Sequence, residues 1–189
     1  MEKMKSDGRV KYTKMVIKRS FLKLLGKKPV DKITVTELCD MAEINRATFY
    51  THYKDCYDLL DSIQNDFLDE FRSTGRTDKW CDPRELISAI YDTISENIDI
   101  CDALIFNAKN PTLLVKMLET AREYCIEKWK VAMPQLSDEE RDLLFIHLST
   151  GLAAVMFARF KSCERELLIG FMTETVENCL SPYQRQEYL

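Results

Sequence analysis

Apolar positions along this chain recur at intervals of three and four, and no stretch sustains the alternation of a half-buried strand. From about Gly8 to Leu25, Ile17, Phe21, Leu24 and Leu25 share one face while Lys14, Lys18 and Lys23 fall elsewhere, which predicts an amphipathic helix with a basic outer face. Gly26 stands where a C-cap prefers glycine, with Pro29 just beyond. A second, short helix is predicted to open at Thr34, because Thr34 and Glu37 have the spacing of a capping box and Leu38, Met41 and Ala42 follow as an apolar stripe. Glu43 and Ile44 break it, and Asn45 is a suitable N-cap for a third helix from Arg46 to about His52 or Tyr53. Two short helices about three residues apart form a helix-turn-helix pattern.

A fourth helix is expected from about Asp55 to Phe71, and residues 73–78 read as a linker. Further helices are predicted at about 83–98, 101–108, 111–131, 138–161 and 164–180. Pro83 and Pro111 stand where helix starts tolerate proline, and Met133-Pro134-Gln135 interrupts the chain between two of these helices. The fold class expected is all-α, with a helix-turn-helix domain over residues 1–54 and a helical domain over 55–189.

The third helix holds the most informative letters, INRATFYTHYKD at 44–55. At 100° per residue, Phe49, Tyr53 and the preceding Ile44 can pack inward, whereas Arg46, Ala47, Thr48, Tyr50, Thr51 and His52 face out, with Lys54 at the far end. A helix that met only water would more usually carry Glu and Lys on that face. Arginine can grip guanine or phosphate, and threonine and tyrosine hydroxyls bond phosphate oxygens, so the outward set suits a DNA groove.

Charge changes the picture in the same direction. The net charge is −4, yet residues 1–54 hold 13 Lys/Arg against 6 Asp/Glu, and the rest of the chain is strongly acidic. A basic segment joined to an acidic one suggests that one end meets a polyanion. With 31% charged and 46% hydrophobic residues the composition is that of an ordinary globular protein. The first ten residues lack the apolar core of a secretory signal, and Leu143–Phe160 falls short of a membrane span because it includes His147, Ser149, Thr150 and Arg159. A cytoplasmic protein with no membrane partner is therefore expected.

Cys39, Cys56, Cys81, Cys101, Cys125, Cys163 and Cys179 are scattered and odd in number, without CxxC pairing, and neither His52 nor His147 has a cysteine within three positions. Neither a disulfide framework nor a metal site is expected, and no cofactor. The chain has no GxSxG, Walker-type loop, GxGxxG or HExxH, and His147 and Ser149 point to different helix faces, so an enzyme is not expected.

Taken together, Ile33-Thr34-Val35, Leu38, Ala42, Arg46 to Tyr50, His52 to Asp55 and Leu59-Leu60 resemble the TetR/AcrR-type family of transcriptional regulators, over about residues 10–60. The resemblance implies an all-helical homodimer whose two reading heads bind a palindromic operator in double-stranded DNA, with a small-molecule pocket and the dimer seam in the C-terminal domain. It places Thr34, Thr36, Asn45, Arg46, Ala47, Thr48, Tyr50, Thr51, His52 and Lys54 at the DNA. Three positions depart from the family pattern. Glu43 and Ala47 stand where glycine is usual or frequent, and Cys56 replaces a lysine that commonly reaches a phosphate. Glu43 either alters the turn or accepts a strained backbone, and Cys56 would remove one phosphate contact. A lone helix-start cysteine is more often inert than a redox switch.

For the dimer seam, the nearly all-round apolar segment 143–160 offers Leu148, Leu152, Val155 and Met156, with small residues at Gly151, Ala153, Ala154 and Ala158. The last helix adds Leu168, Phe171, Met172 and Val176. Candidates for the effector pocket are Tyr91, Phe106, Tyr124, Trp129, Phe145, His147 and Phe157, aromatic or polar residues within apolar helices. The expected function is a ligand-released DNA-binding repressor. The alternative is a protein-interaction module of the same fold without tight DNA binding of its own.

Overall fold

The computed structural model describes residues 2–75, 82–106 and 112–184, and among these all regular structure is helical. Nine α-helices are described: α1 (Glu2–Leu25), α2 (Val35–Ala42), α3 (Arg46–Tyr50), α4 (Cys56–Gly75), α5 (Pro83–Glu96), α6 (Ile98–Cys101), α7 (Thr112–Ala132), α8 (Asp138–Arg159) and α9 (Arg165–Gln184). A 3₁₀ turn (Val30–Lys32) precedes α2, and α6 continues as a π-helical turn over Asp102–Phe106. The expected all-helical fold is found, with differences at element ends. α4 runs through Ser73 to Gly75, where the sequence suggested a linker; the remaining linker positions, Cys81 and Pro111 lie outside the described residues. α9 continues past Leu180 and accommodates Pro182 in its last turn.

The chain divides into two compact units, and the division falls inside α4, after Phe67, whereas the sequence reading divides the chain at Lys54/Asp55. The first unit holds α1–α3, the first part of α4, and the segment from Asn97 to Leu113. Its core is built from Ile17, Phe21 and Leu24 of α1, Leu38 and Ala42 of α2, Phe49 of α3, and Leu59, Ile63 and Phe67 of α4, all buried. α6 and the π turn pack against α1, and Cys101, Leu104 and Ile105 are buried there. Residues from about a hundred positions along thus contribute to the hydrophobic interior around the helix-turn-helix.

The second unit holds the end of α4 together with α5, α7, α8 and α9. α5 packs along α9, and the pair is laced at its rim: Arg165 donates to Asp92 at 2.9 Å and to Ser88 at 2.7 Å, and Arg84 pairs with Glu166 at 2.7 Å. A capping box starts α8, in which Ser137 Oγ accepts from Glu140 N at 3.2 Å and Glu140 accepts from Ser137 N at 2.7 Å. Arg141, buried, braces the preceding turn by donating to the Met133 carbonyl at 3.1 Å. By length and composition α8 could cross a membrane, against the expectation from its polar residues. A core helix passes the same test, and its inner face (Phe145, Leu148, Met156) is buried in this unit.

Candidate nucleic-acid interface and ligand cavity

The helix-turn-helix is fixed by its own side chains. Thr34 caps α2, its hydroxyl accepting from Glu37 N at 3.2 Å. The reciprocal half of the expected capping box is replaced, since Glu37 turns to Lys28 at 2.5 Å. At the other end of α2, Ile44 N donates to the Cys39 carbonyl at 3.0 Å and Glu43 N to the Asp40 carbonyl at 3.4 Å. That closure requires a left-handed residue between them. Glu43 supplies it, at φ 53° and ψ 41°, the one non-glycine residue with positive φ among those described. The turn geometry is thus kept and the strain is accepted.

Asn45 caps α3, and its Oδ1 accepts from both the backbone N (2.7 Å) and the hydroxyl (2.9 Å) of Thr48. Thr51 donates its hydroxyl to the Thr48 carbonyl at 2.6 Å. Phe49 and Tyr53 are buried, with their ring centres 5.9 Å apart, as the helical phase requires. Burial pushes the Tyr53 phenol up. Outward, Arg46, Ala47 and Tyr50 are exposed, Tyr50 to 49%. The Arg46 guanidinium carbon lies 6.0 Å from the Tyr50 ring centre, and interaction with Tyr50 raises its pKa further above an already high value. Thr34, Thr36, Asn45, Thr51 and Lys54 are exposed as well, while Thr48 and His52 are half-buried.

The start of α4 is already capped from within the chain. Asp55 accepts from Tyr57 N at 2.8 Å and Asp58 N at 2.9 Å, and Asp58 accepts from Lys54 N at 2.9 Å. Cys56 is buried, and burial followed by the neighbouring Asp55 carboxylate pushes its thiol up, so it carries neither a cation nor a reactive thiolate. Tyr57 beside it is exposed.

In the second unit, α5, α7, α8 and α9 enclose a cavity of about 540 Å³, to which α4 adds Phe71. Of the expected pocket residues, Tyr124, Trp129, Phe145 and Phe157 line it together. Tyr91 does not: its ring lies 4.6 Å from Phe160 with Arg165 above it at 5.4 Å. Phe106 belongs to the first unit, and His147 is exposed on the outer face of α8. Five residues expected at the dimer seam, Leu148, Leu152, Met156, Met172 and Val176, line the cavity, and Leu168 is buried, Val155 half-buried. Of that set Phe171 is exposed, at 57%, and the other large apolar side chains bare on α8 and α9 are Leu143, Ile146, Leu167 and Tyr183. The physical reason is rotational phase. Apolar residues cover both faces of α8, and periodicity cannot say which face turns inward.

No protein-family profile and no curated protein matches the chain. Solved structures do. The dihydroxyacetone kinase operon activator DhaS superposes with a TM-score of 0.64 at 17% identity, covering 91% of this chain and 98% of that one. A TetR transcriptional regulator from Streptococcus agalactiae 2603V gives 0.58 at 20% identity, over 92% and 98%. A transcriptional regulator of the TetR/AcrR type from Aquifex aeolicus VF5 gives 0.58 at 14% identity, over 90% and 98%. At these identities the likeness is one of fold, and it extends over nine-tenths of the chain.

Proposed function

We propose that this chain is a DNA-binding transcriptional regulator that acts as a homodimer on a palindromic operator and is released by a small molecule held in the cavity of the second unit. The observation that carries the reading is the bare surface of α3. Arg46, Ala47 and Tyr50 project from a short helix whose start is pinned by Asn45, just after the left-handed turn at Glu43, while Phe49 and Tyr53 anchor its other side. A helix held that firmly with an arginine, a methyl and a phenol outward matches what a major groove reads. The basic excess of residues 1–54 supplies the attraction to phosphate.

Dimerisation is assigned to the outer faces of α8 and α9, through Leu143, Ile146, Leu167 and Phe171. Gly151 and the exposed Ala154 and Ala158 let a second copy approach closely: a Cβ placed on Gly151 would touch nothing within 4 Å. Two heads joined this way would reach successive major grooves, about 34 Å apart. Repression needs only that the bound dimer obstruct transcription. One neighbour of this fold is named an operon activator.

A random duplex library selected with the wild type and with an Arg46→Ala, Tyr50→Ala double variant tests this. Enrichment of an inverted repeat by the wild type alone is the expected result. Equal, sequence-blind recovery by both would refute it and favour the alternative, a module that works by docking another protein, which the buried Cys56 in place of a phosphate-gripping lysine would then explain.

A further inference from the structure

The cavity carries information about its ligand that the overall charge obscures. Residues 55–189 are acidic overall, which on composition alone would favour a cationic ligand. Yet among the described residues no aspartate or glutamate lines the cavity. The one charged residue among those described is Lys128, exposed and therefore at the rim, with its Nζ 5.6 Å from the ring centre of Tyr124. Cys125 also lines it, and burial pushes that thiol up to about 12, so it presents a neutral group. The remaining wall is aliphatic and aromatic apart from the polar atoms of Ser149, Gln184, Trp129 and Tyr124.

Shape adds a second constraint. Along α7 the lining residues run from Leu114 to Ala132, which spans about 27 Å of helix axis. Along α9 they run from Met172 to Gln184. A void that follows two helices lengthwise is a slot, suited to a chain-like molecule rather than a compact one. Its volume lies within the range of sites that bury a small ligand almost completely.

We infer that this cavity takes an amphiphile with a long apolar body and a single anionic head, a medium-chain fatty carboxylate in chemical class, with the carboxylate at Lys128 and the chain along α7. The inference rests on reading the cavity as the effector site, but binding is measured apart from DNA. A cation is disfavoured because it would meet Lys128 and no counter-charge, whereas an alkyl chain gains from every methylene it buries.

The test is calorimetric titration of the full chain with decanoate, decanol and decylamine, three heads on one chain, all below their aggregation limits. Saturable binding of one decanoate per protomer is expected, about two- to fivefold tighter than decanol, with decylamine weakest. Lys128→Gln should bring decanoate to the level of decanol and leave decanol unchanged, and Lys128→Arg should restore the preference. Decylamine binding as tightly as decanoate, an unaltered preference in Lys128→Gln, or no saturable binding of any of the three would overturn the inference. Decanoate that binds as expected but leaves an operator complex intact would support the site and refute release, so the two readings fail separately.

Discussion

Glu43 holds a conformation that its side chain disfavours, and this makes a sharp prediction. The two hydrogen bonds that close α2, from Ile44 to Cys39 and from Glu43 to Asp40, force φ to 53° whatever residue stands there. For an L-residue with a Cβ that conformation costs about 1–2 kcal/mol, and glycine avoids it. Glycine in turn loses about 0.5–1 kcal/mol more backbone entropy on folding. The difference leaves Glu43→Gly more stable by about 0.5–1 kcal/mol, because the exposed Glu43 side chain gives up little. Equilibrium urea unfolding followed by far-ultraviolet circular dichroism would read this directly. The thermal midpoint should rise by about 2–4 °C per kcal/mol for cooperative melting of the whole chain, and about twice that where the first unit melts alone. Glu43→Ala keeps the Cβ and the strain, so it should match the wild type within about 0.5 kcal/mol, while Glu43→Asn should fall between. The decisive comparison is glycine with alanine. Equal stabilities for those two would show that no strain is stored in the turn.

Three further outcomes are expected. Ser137→Ala removes the hydroxyl half of the α8 capping box, leaving the backbone N–H of residue 137 to Glu140, and should cost about 1 kcal/mol in the same unfolding assay. Because hydrogen bonds from Ser137 hold the Glu140 carboxylate below its usual range, the box contributes fully above the ordinary carboxylate pKa and is lost as pH falls through the lowered one. Wild-type stability should therefore fall more steeply at acid pH than that of Glu140→Gln, which cannot titrate, and identical pH profiles for the two would contradict this. In timed alkylation mapped by mass spectrometry, Cys39, Cys56 and Cys101 should label only on unfolding, since all are buried with raised pKa, Cys101 to about 12. Labelling of Cys56 as fast as that of half-exposed Cys163 would restore a redox role. Finally, Ile146→Glu with Phe171→Glu should turn a dimer into a monomer by light scattering with unfolding stability of the monomer retained, whereas Leu152→Glu, facing the cavity, should impair folding instead. A variant with both outer glutamates that stays dimeric would move the seam elsewhere.

The N-terminal part of this architecture was largely legible in the letters because it is built from local signals. A threonine three residues before a glutamate, an asparagine before an arginine, and a phenylalanine phased with a tyrosine are each short-range statements. The caps at Thr34 and Asn45 and the burial of Phe49 and Tyr53 follow from them. The second unit was less legible for a reason of the same kind. Leu148, Met156 and Met172 alternate with Leu143, Ile146 and Phe171 on helices apolar all round, so the two faces are chemically alike until other helices choose between them. Tyr91, expected at the pocket, was misplaced for another reason: its partners, Phe160 and Arg165, lie some seventy residues away, and no spacing rule reaches that far. The contribution of Cys101, Leu104 and Ile105 to the first unit was invisible for the same cause.

The internal bonding of α3 limits how much address a reading head can hold. Asn45 and Thr48 are tied to each other, and Thr51 to the Thr48 carbonyl, so their polar atoms are largely engaged before any base is met. Arg46 is left as the side chain able to pair with a base edge twice over, with Ala47 offering a methyl. One fully specified base pair carries about two bits, while singling out one site among about a million requires roughly twenty. Two heads related by symmetry double the message and still leave it short. Most of the remaining discrimination then has to reside in the DNA itself, in how readily a given spacer bends or narrows its groove. An operator for such a head would show a few sharp positions in each half and a long, soft preference between them.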